Sequence, residues 1–301
     1  MAGRAHTIAL IESAIAGAHP SSNGWYRADC PVCPIRVGKT DARRSLAFNP
    51  ETGKYRCLRC EVYGKIRGSF RSLVDANPAK PQPDAPQRMD VPEGFIELGR
   101  GPGRVAFYTE FAREWLQGRG VDTALCAAAH IGVCTTGRFH NRVVIPVTDP
   151  KDPDIWLGYV GRTLVDREPR YLYPTGMQRG KLLFNGAQVH RDTEDPIVLV
   201  EGAFDVLPHF DIAVGCLGKP TNSQLDILCQ TKRPIVVCLD GDAWLEGLAV
   251  SRELALELGK PVAAIRLPPT RDPGNLRHGT LLHFAREALA SEEQPYIAEA
   301  A

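Results

Sequence analysis

The sequence lacks any long hydrophobic run. No stretch of its 301 residues approaches the roughly 18 apolar residues that a membrane-spanning helix needs, so no membrane partner is expected. AHTIALIESAIAGAHP is not expected to act as a secretory leader, since it carries Glu12 and has no basic-then-apolar layout. That segment instead places Ile8, Ile11 and Ile15 on a short amphipathic helix ending near Pro20. Net charge is almost absent, with 36 Lys and Arg against 35 Asp and Glu, so overall charge names no partner. Nine cysteines is an odd number, and Cys126, Cys134, Cys216, Cys229 and Cys238 are scattered, which points to reduced, buried core cysteine rather than a disulfide framework. Reduced cysteines of this kind imply a cytoplasmic protein. There are no internal repeats. Gly38-Lys39-Thr40 is not the end of a nucleotide-binding loop, since Cys33 stands where the first glycine belongs and no strand precedes it.

The other four cysteines are ordered. CPVC (Cys30 and Cys33) and CLRC (Cys57 and Cys60) are C-x2-C pairs separated by twenty-three residues. Two such knuckles, brought together by a hairpin, present four thiolates to one tetrahedral Zn2+. A module this small needs the metal for stability, and with all four positions filled the zinc is structural. Around it, residues 30–68 hold nine Lys and Arg against three acids, a local basic patch in a neutral chain. Trp25, Tyr26, Phe48, Tyr55 and Tyr63 interleave with those bases, a pattern that suits stacking on single-stranded nucleic acid. For Phe48 and Tyr55 the competing reading is the ribbon's own small core.

Residues 76–94 contain five prolines and little periodicity, which predicts an extended linker. Beyond it, TEFAREWLQGRG predicts a helix stopped by Gly118 and Gly120. RVVIPVTD (142–149) and IWLGYVGRTL (155–164) predict a hairpin. From residue 196 short apolar strands alternate with helical segments, the signature of a parallel sheet covered on both faces. The last strand of that series is PVAAIRL.

Carboxylates collect at the ends of those strands. Glu201 follows IVLV, Asp205 lies four residues further on, and Asp240 and Asp242 follow IVVC in VVCLDGDAW. Ligands of open parallel sheets bind outside the carboxyl ends of the strands. Crowded carboxylates there repel unless a hard cation such as Mg2+ or Mn2+ lies between them. Asp205 either joins that cation site or caps the following helix.

EGAFD (201–205) and DGD (240–242) resemble the two signatures of the TOPRIM fold, and the preceding four-cysteine module narrows the resemblance to DnaG-type DNA primases. WLQGRGV, RVVIPVTDP, GYVGRTL, PRYLYP, MQRGKLLFNG and CLGKPTNSQ resemble segments of the primase catalytic core, in the same order, so the likeness covers roughly residues 20–280. It implies a multidomain α/β protein: a zinc ribbon over 1–75, the linker 76–94, a basic subdomain over 95–195, a TOPRIM domain over 196–285 and a tail over 286–301.

The resemblance further implies that Glu201, Asp240 and Asp242 are catalytic and hold Mg2+ or Mn2+, with Asp205 and Asp272 as further ligands. It places Arg142, Arg162, Arg170, Arg179 and Lys181 on a groove for template and NTP. Two departures stand out. The family's D-P-D loop reads RDPGN here, so Gly274 replaces its second acid; and Cys33 stands where such primases usually have a zinc-ligating histidine. With neither a Walker A motif nor a long helicase-binding extension, the expectation is a compact, phage-like primase. It would make short RNA primers on single-stranded DNA by two-metal nucleotidyl transfer, with a replicative helicase as partner. The alternatives are a TOPRIM nuclease and a non-catalytic recombination mediator that joins zinc to TOPRIM. A topoisomerase would need a further large domain with a tyrosine nucleophile.

Overall fold

Short strands separated by turn residues close most simply as an antiparallel meander, and the N-terminal module does so in the computed structural model. The structure describes residues 2–15, 17–21, 25–66, 86–99, 106–258, 261–277 and 279–298. They fall into two units, Met1–Ala85 with Ala249–Pro261, and Pro86–Leu248 with Val262–Ala301.

In the first unit β1 (His19–Pro20), β2 (Tyr26–Ala28), β3 (Leu46–Phe48), β4 (Lys54–Cys57) and β5 (Tyr63–Lys65) pair in sequence order. The β3–β4 turn is set locally. Asn49 Oδ1 accepts the N–H groups of Glu51 and Thr52, and Gly53 takes φ 69° where a Cβ would lie 2.2 Å from the Ile66 carbonyl oxygen. The predicted first helix runs Ala2–Ile15, and its buried Ile11 and Ile15 join Leu46, Phe48 and Tyr55 in one core. Phe48 and Tyr55 are therefore core residues, as the competing reading had it. Trp25 is buried as well, which removes it from the stacking set, whereas Tyr63 is 78% exposed. Within the same unit Arg27 pairs with Glu253, and both side chains are buried. A buried pair of this type is costly to break one partner at a time.

The second unit holds two sheets on one core. β6 (Phe95–Glu97), β7 (Gly132–Cys134), β8 (Arg142–Thr148), β9 (Trp156–Thr163) and β10 (Tyr171–Leu172) form an antiparallel sheet in that order. The β8–β9 hairpin was expected, and its ladder shifts register once, between Val147 and Thr148. The predicted helix runs Ala106–Gln117 and ends before Gly118, with Gly120 at φ 74°. Part of the predicted linker is not free. Residues 76–85 lie outside the described residues, but Met89 N–H donates to the Trp156 carbonyl and the Gly94 carbonyl accepts from Thr135 N–H.

Four apolar residues in a row must be covered on both faces, and Ile197–Val200 (β11) is fully buried. β12 (Ala213–Gly215), β13 (Ile235–Val237), β14 (Ala263–Arg266) and β15 (Tyr296–Ile297) complete a parallel sheet in the order β12-β11-β13-β14-β15. PVAAIRL is thus not its last strand. The segment predicted as a tail holds the end of helix Thr280–Ala290 and the edge strand β15. Leu281, Phe284, Ala285 and Ala288 on that helix join the same core as Val143, Ile145 and Val147 of the β8–β9 hairpin.

Candidate metal centre and nucleic-acid surface

Adjacent parallel strands deliver the acids. β11 and β13 are neighbours with Leu199 opposite Val237, so Glu201 and Asp240 leave the same end of the sheet two and three residues later. The glycine of DGD is fixed by crowding. A Cβ on Gly241 would lie 1.9 Å from the Pro268 carbonyl oxygen, and Gly241 N–H donates to the Arg271 carbonyl at 2.9 Å. The loop after β14, which carries Asp272, is thereby held against DGD. Gly241→Ala must push that backbone away; we expect a loss of about 1–3 kcal/mol of stability, read by denaturant unfolding.

The carboxylates share one field. Burial, then the charge of Asp240, raises the pKa of Glu201. Burial, then Asp272 and Asp242, raises that of Asp240. Asp205 is pushed up to about 7 by burial and then by Asp240. Asp240 Oδ1 is buried and has no hydrogen-bond partner among the described residues. Among the described residues only the four cysteines bring three or more ligand atoms within 4.8 Å of one another, so the acids share a field without closing into a cage. Their oxygen-only donors and the open Asp240 acceptor are what suit a hard divalent cation.

Asp205 is a cap in this geometry, since its Oδ2 accepts Gly202 N–H at 2.7 Å at the start of helix Ala203–Val206. It also accounts for the missing loop acid. A Cβ on Gly274 would lie 3.0 Å from Asp205 Oδ1 and 3.0 Å from the Phe204 carbonyl oxygen, so a second aspartate would meet Asp205 directly. His209 Nε2 donates to the Pro273 carbonyl at 2.9 Å and holds the same loop.

The five predicted bases divide. Arg142 is only 2% exposed, and its guanidinium donates to the carbonyls of Gly161, Pro169 and Arg170. It does not line a groove; it fixes the loop that carries Arg170. Arg170 and Arg179 are exposed, and Arg162 and Lys181 are half-buried. Arg162 lies over Tyr171 and Arg179 over Tyr173, with Cζ 4.6 and 4.5 Å from the ring centres. Buried Gln224 holds the backbone of Arg179 by donating to its carbonyl at 3.2 Å, and also donates to the carbonyls of Leu182 and Cys216, both at 2.7 Å.

In the first unit the four sulfurs of Cys30, Cys33, Cys57 and Cys60 lie within 4.8 Å of one another, all buried. The Cys30–Cys60 and Cys33–Cys57 separations are 3.7 and 3.6 Å. Tetrahedral zinc with bonds of about 2.3 Å sets sulfurs about 3.8 Å apart, so the cage fits that ion. Burial and the neighbouring thiols push Cys33 up to about 12. Asp41 ties the first knuckle, accepting the N–H groups of Cys30 and Ser45 at 2.8 Å each.

No known family profile matches the chain. Curated DNA primases do. That of Staphylococcus aureus (strain MSSA476) is 29% identical over 192 residues, covering 58% of this chain and 31% of the relative. That of Buchnera aphidicola subsp. Baizongia pistaciae (strain Bp) is 27% identical over 222 residues, covering 58% and 38%. Among solved structures, a DnaG primase catalytic domain bound to ssDNA aligns with TM-score 0.51 at 24% identity, over 62% of this chain and 72% of that one. The chain is thus similar in sequence to curated DNA primases, and it shares the fold of a DnaG catalytic domain. Its fold is that of the DnaG catalytic core, joined to a four-cysteine cluster. The chain spans about a third of the length of the curated relatives it matches.

One charged neighbour of the acids was missed from sequence. Glu246, in the first turn of helix Trp244–Leu258, adds its charge to the field at Glu201 and pairs with Lys219 at 2.5 Å. A glutamate opening a helix reads as an ordinary dipole partner, so nothing local marked it.

The raised Asp205 gives a pH signature. The folded state keeps a proton that the unfolded chain releases near its ordinary value of 3.8, so stability falls as pH rises from about 4 to about 7. We expect Asp205→Asn to raise the melting temperature at pH 8 in chelator and to change it little at pH 4.

Proposed function

We propose that this chain is a primase that makes short RNA primers on single-stranded DNA. The observation that carries the reading is the carboxylate cluster at the ends of β11 and β13, with Asp240 Oδ1 buried and unpartnered among the described residues. Glu201, Asp240 and Asp242 are the catalytic acids, and Asp272 is a further ligand. Asp205 serves the cluster as a ligand and caps its helix as well. Mg2+ or Mn2+, when bound, would lower the pKa of the attacking 3′-hydroxyl and neutralise the departing pyrophosphate.

The chain's own groups do the holding. Arg162, Arg170, Arg179 and Lys181 take template and NTP phosphates, which makes affinity fall with salt. Arg142 positions Arg170 through the backbone of 169–170. In the ribbon the four thiolates hold Zn2+, and its exposed bases and Tyr63 contact template. A replicative helicase is the expected partner and the cytoplasm the expected compartment. Among the described residues no helix is long and apolar enough to cross a membrane.

End-labelled single-stranded DNA with Mg2+, with and without NTPs, tests the reading. A primase leaves the DNA intact and yields new NTP-dependent products; a nuclease shortens the DNA without NTPs.

A further inference from the structure

The cross-strand register of the antiparallel sheet builds a row of rings and cations beside the acidic centre. Tyr171 on β10 stands opposite Arg162 on β9, which is why the guanidinium lies over the ring. β10 is the edge strand, and Tyr171 is 43% exposed. Its inner neighbour is Phe204, with ring centres 6.2 Å apart, and Phe204 directly precedes Asp205. Phe204 meets Trp115 edge-on at 5.7 Å, and Arg119 Cζ lies 3.6 Å over the Trp115 ring. The charges of Arg170 and Arg119 reach Arg162, so positive charge is concentrated along the row.

A tyrosine on an edge strand is often only a strand former. Here the ring rests against Phe204, lies under a guanidinium, keeps 43% of its surface exposed and is near enough to Asp205 to feel its charge. Rings presented this way, with cations alongside, take a nucleobase by stacking while the cations take its phosphate. We propose that Tyr171 is a base-stacking residue that sets a nucleobase beside the acidic centre, with Arg162 and Arg170 holding the attached phosphates. This deepens the primase reading and rests on it for the role of the bound nucleotide. The base comes from the template strand or from the incoming nucleoside triphosphate.

The test uses 2-aminopurine, whose fluorescence is quenched by stacking, with the zinc-loaded protein. One probe is single-stranded DNA carrying a single 2-aminopurine; the other is 2-aminopurine riboside triphosphate with Mg2+. Quenching of the DNA probe assigns the template base, and quenching of the triphosphate assigns the incoming nucleotide. In either case Tyr171→Phe and Tyr171→Trp should keep the quenching, and Tyr171→Leu should lose it with affinity about tenfold weaker. No quenching of either probe by wild type overturns the proposal, as does undiminished quenching by folded Tyr171→Leu. Primer synthesis is measured in parallel. Quenching without synthesis keeps the stacking residue and removes the primase reading, whereas synthesis with unchanged KM in Tyr171→Leu does the reverse.

Discussion

We expect Asp240→Asn to abolish templated ribonucleotide incorporation, by at least about a thousandfold. That loss corresponds to about 4 kcal/mol of transition-state stabilisation at 1.36 kcal/mol per tenfold, within what a divalent cation supplies in phosphoryl transfer. The reason lies in the position of Asp240. It touches the field of the other acids in the cluster: its charge raises Glu201 and Asp205, and it is itself raised by Asp272 and Asp242. Its Oδ1 is the buried acceptor without a partner among the described residues. The asparagine keeps the shape and removes the charge that a cation needs. Folding should survive, since removing one of several repelling carboxylates relieves the cluster; melting temperature in chelator should hold or rise. Incorporation at a tenth of the wild-type rate or more would remove Asp240 from the catalytic centre.

Cys57→Ser is expected to empty the thiolate cage and unfold the ribbon. Structural zinc sites contribute on the order of 10 kcal/mol or more, and a core made of Ile11, Ile15, Leu46, Phe48, Tyr55 and a few others cannot replace that. Metal analysis should fall from one zinc per chain to near none. Proteolysis within 30–66 should accelerate, while the second unit, whose core shares no residue with the ribbon's, keeps its cooperative transition. A ribbon that stays protected without zinc would show that its hydrophobic core suffices.

The parts legible in the sequence were those whose chemistry is local. Paired cysteines carry their own spacing, and acids directly after apolar runs mark the ends of parallel strands. What sequence spacing could not show were contacts between distant segments. Arg142 looked like a groove residue, but its fate depends on carbonyls at 161, 169 and 170. Gly274 looked like a lost ligand until Asp205 was found occupying the space of its side chain. Tyr171 entered only within PRYLYP, because the register with Arg162 and the packing on Phe204 that set it apart join distant segments. The final helix did carry a readable period, at Leu281, Phe284, Ala285 and Ala288, yet the short strand beyond it has too few residues to show one.

DGD thus ends its strand against a loop that allows no side chain at Gly241, with its first aspartate in the field of Glu201 and Asp272. The most direct measurement is incorporation of labelled NTPs on single-stranded DNA of mixed sequence with Mg2+, with and without chelator. The account predicts short RNA products complementary to the template that vanish with chelator. Mg2+-dependent loss of the DNA itself, or no NTP-dependent product at all, would contradict it.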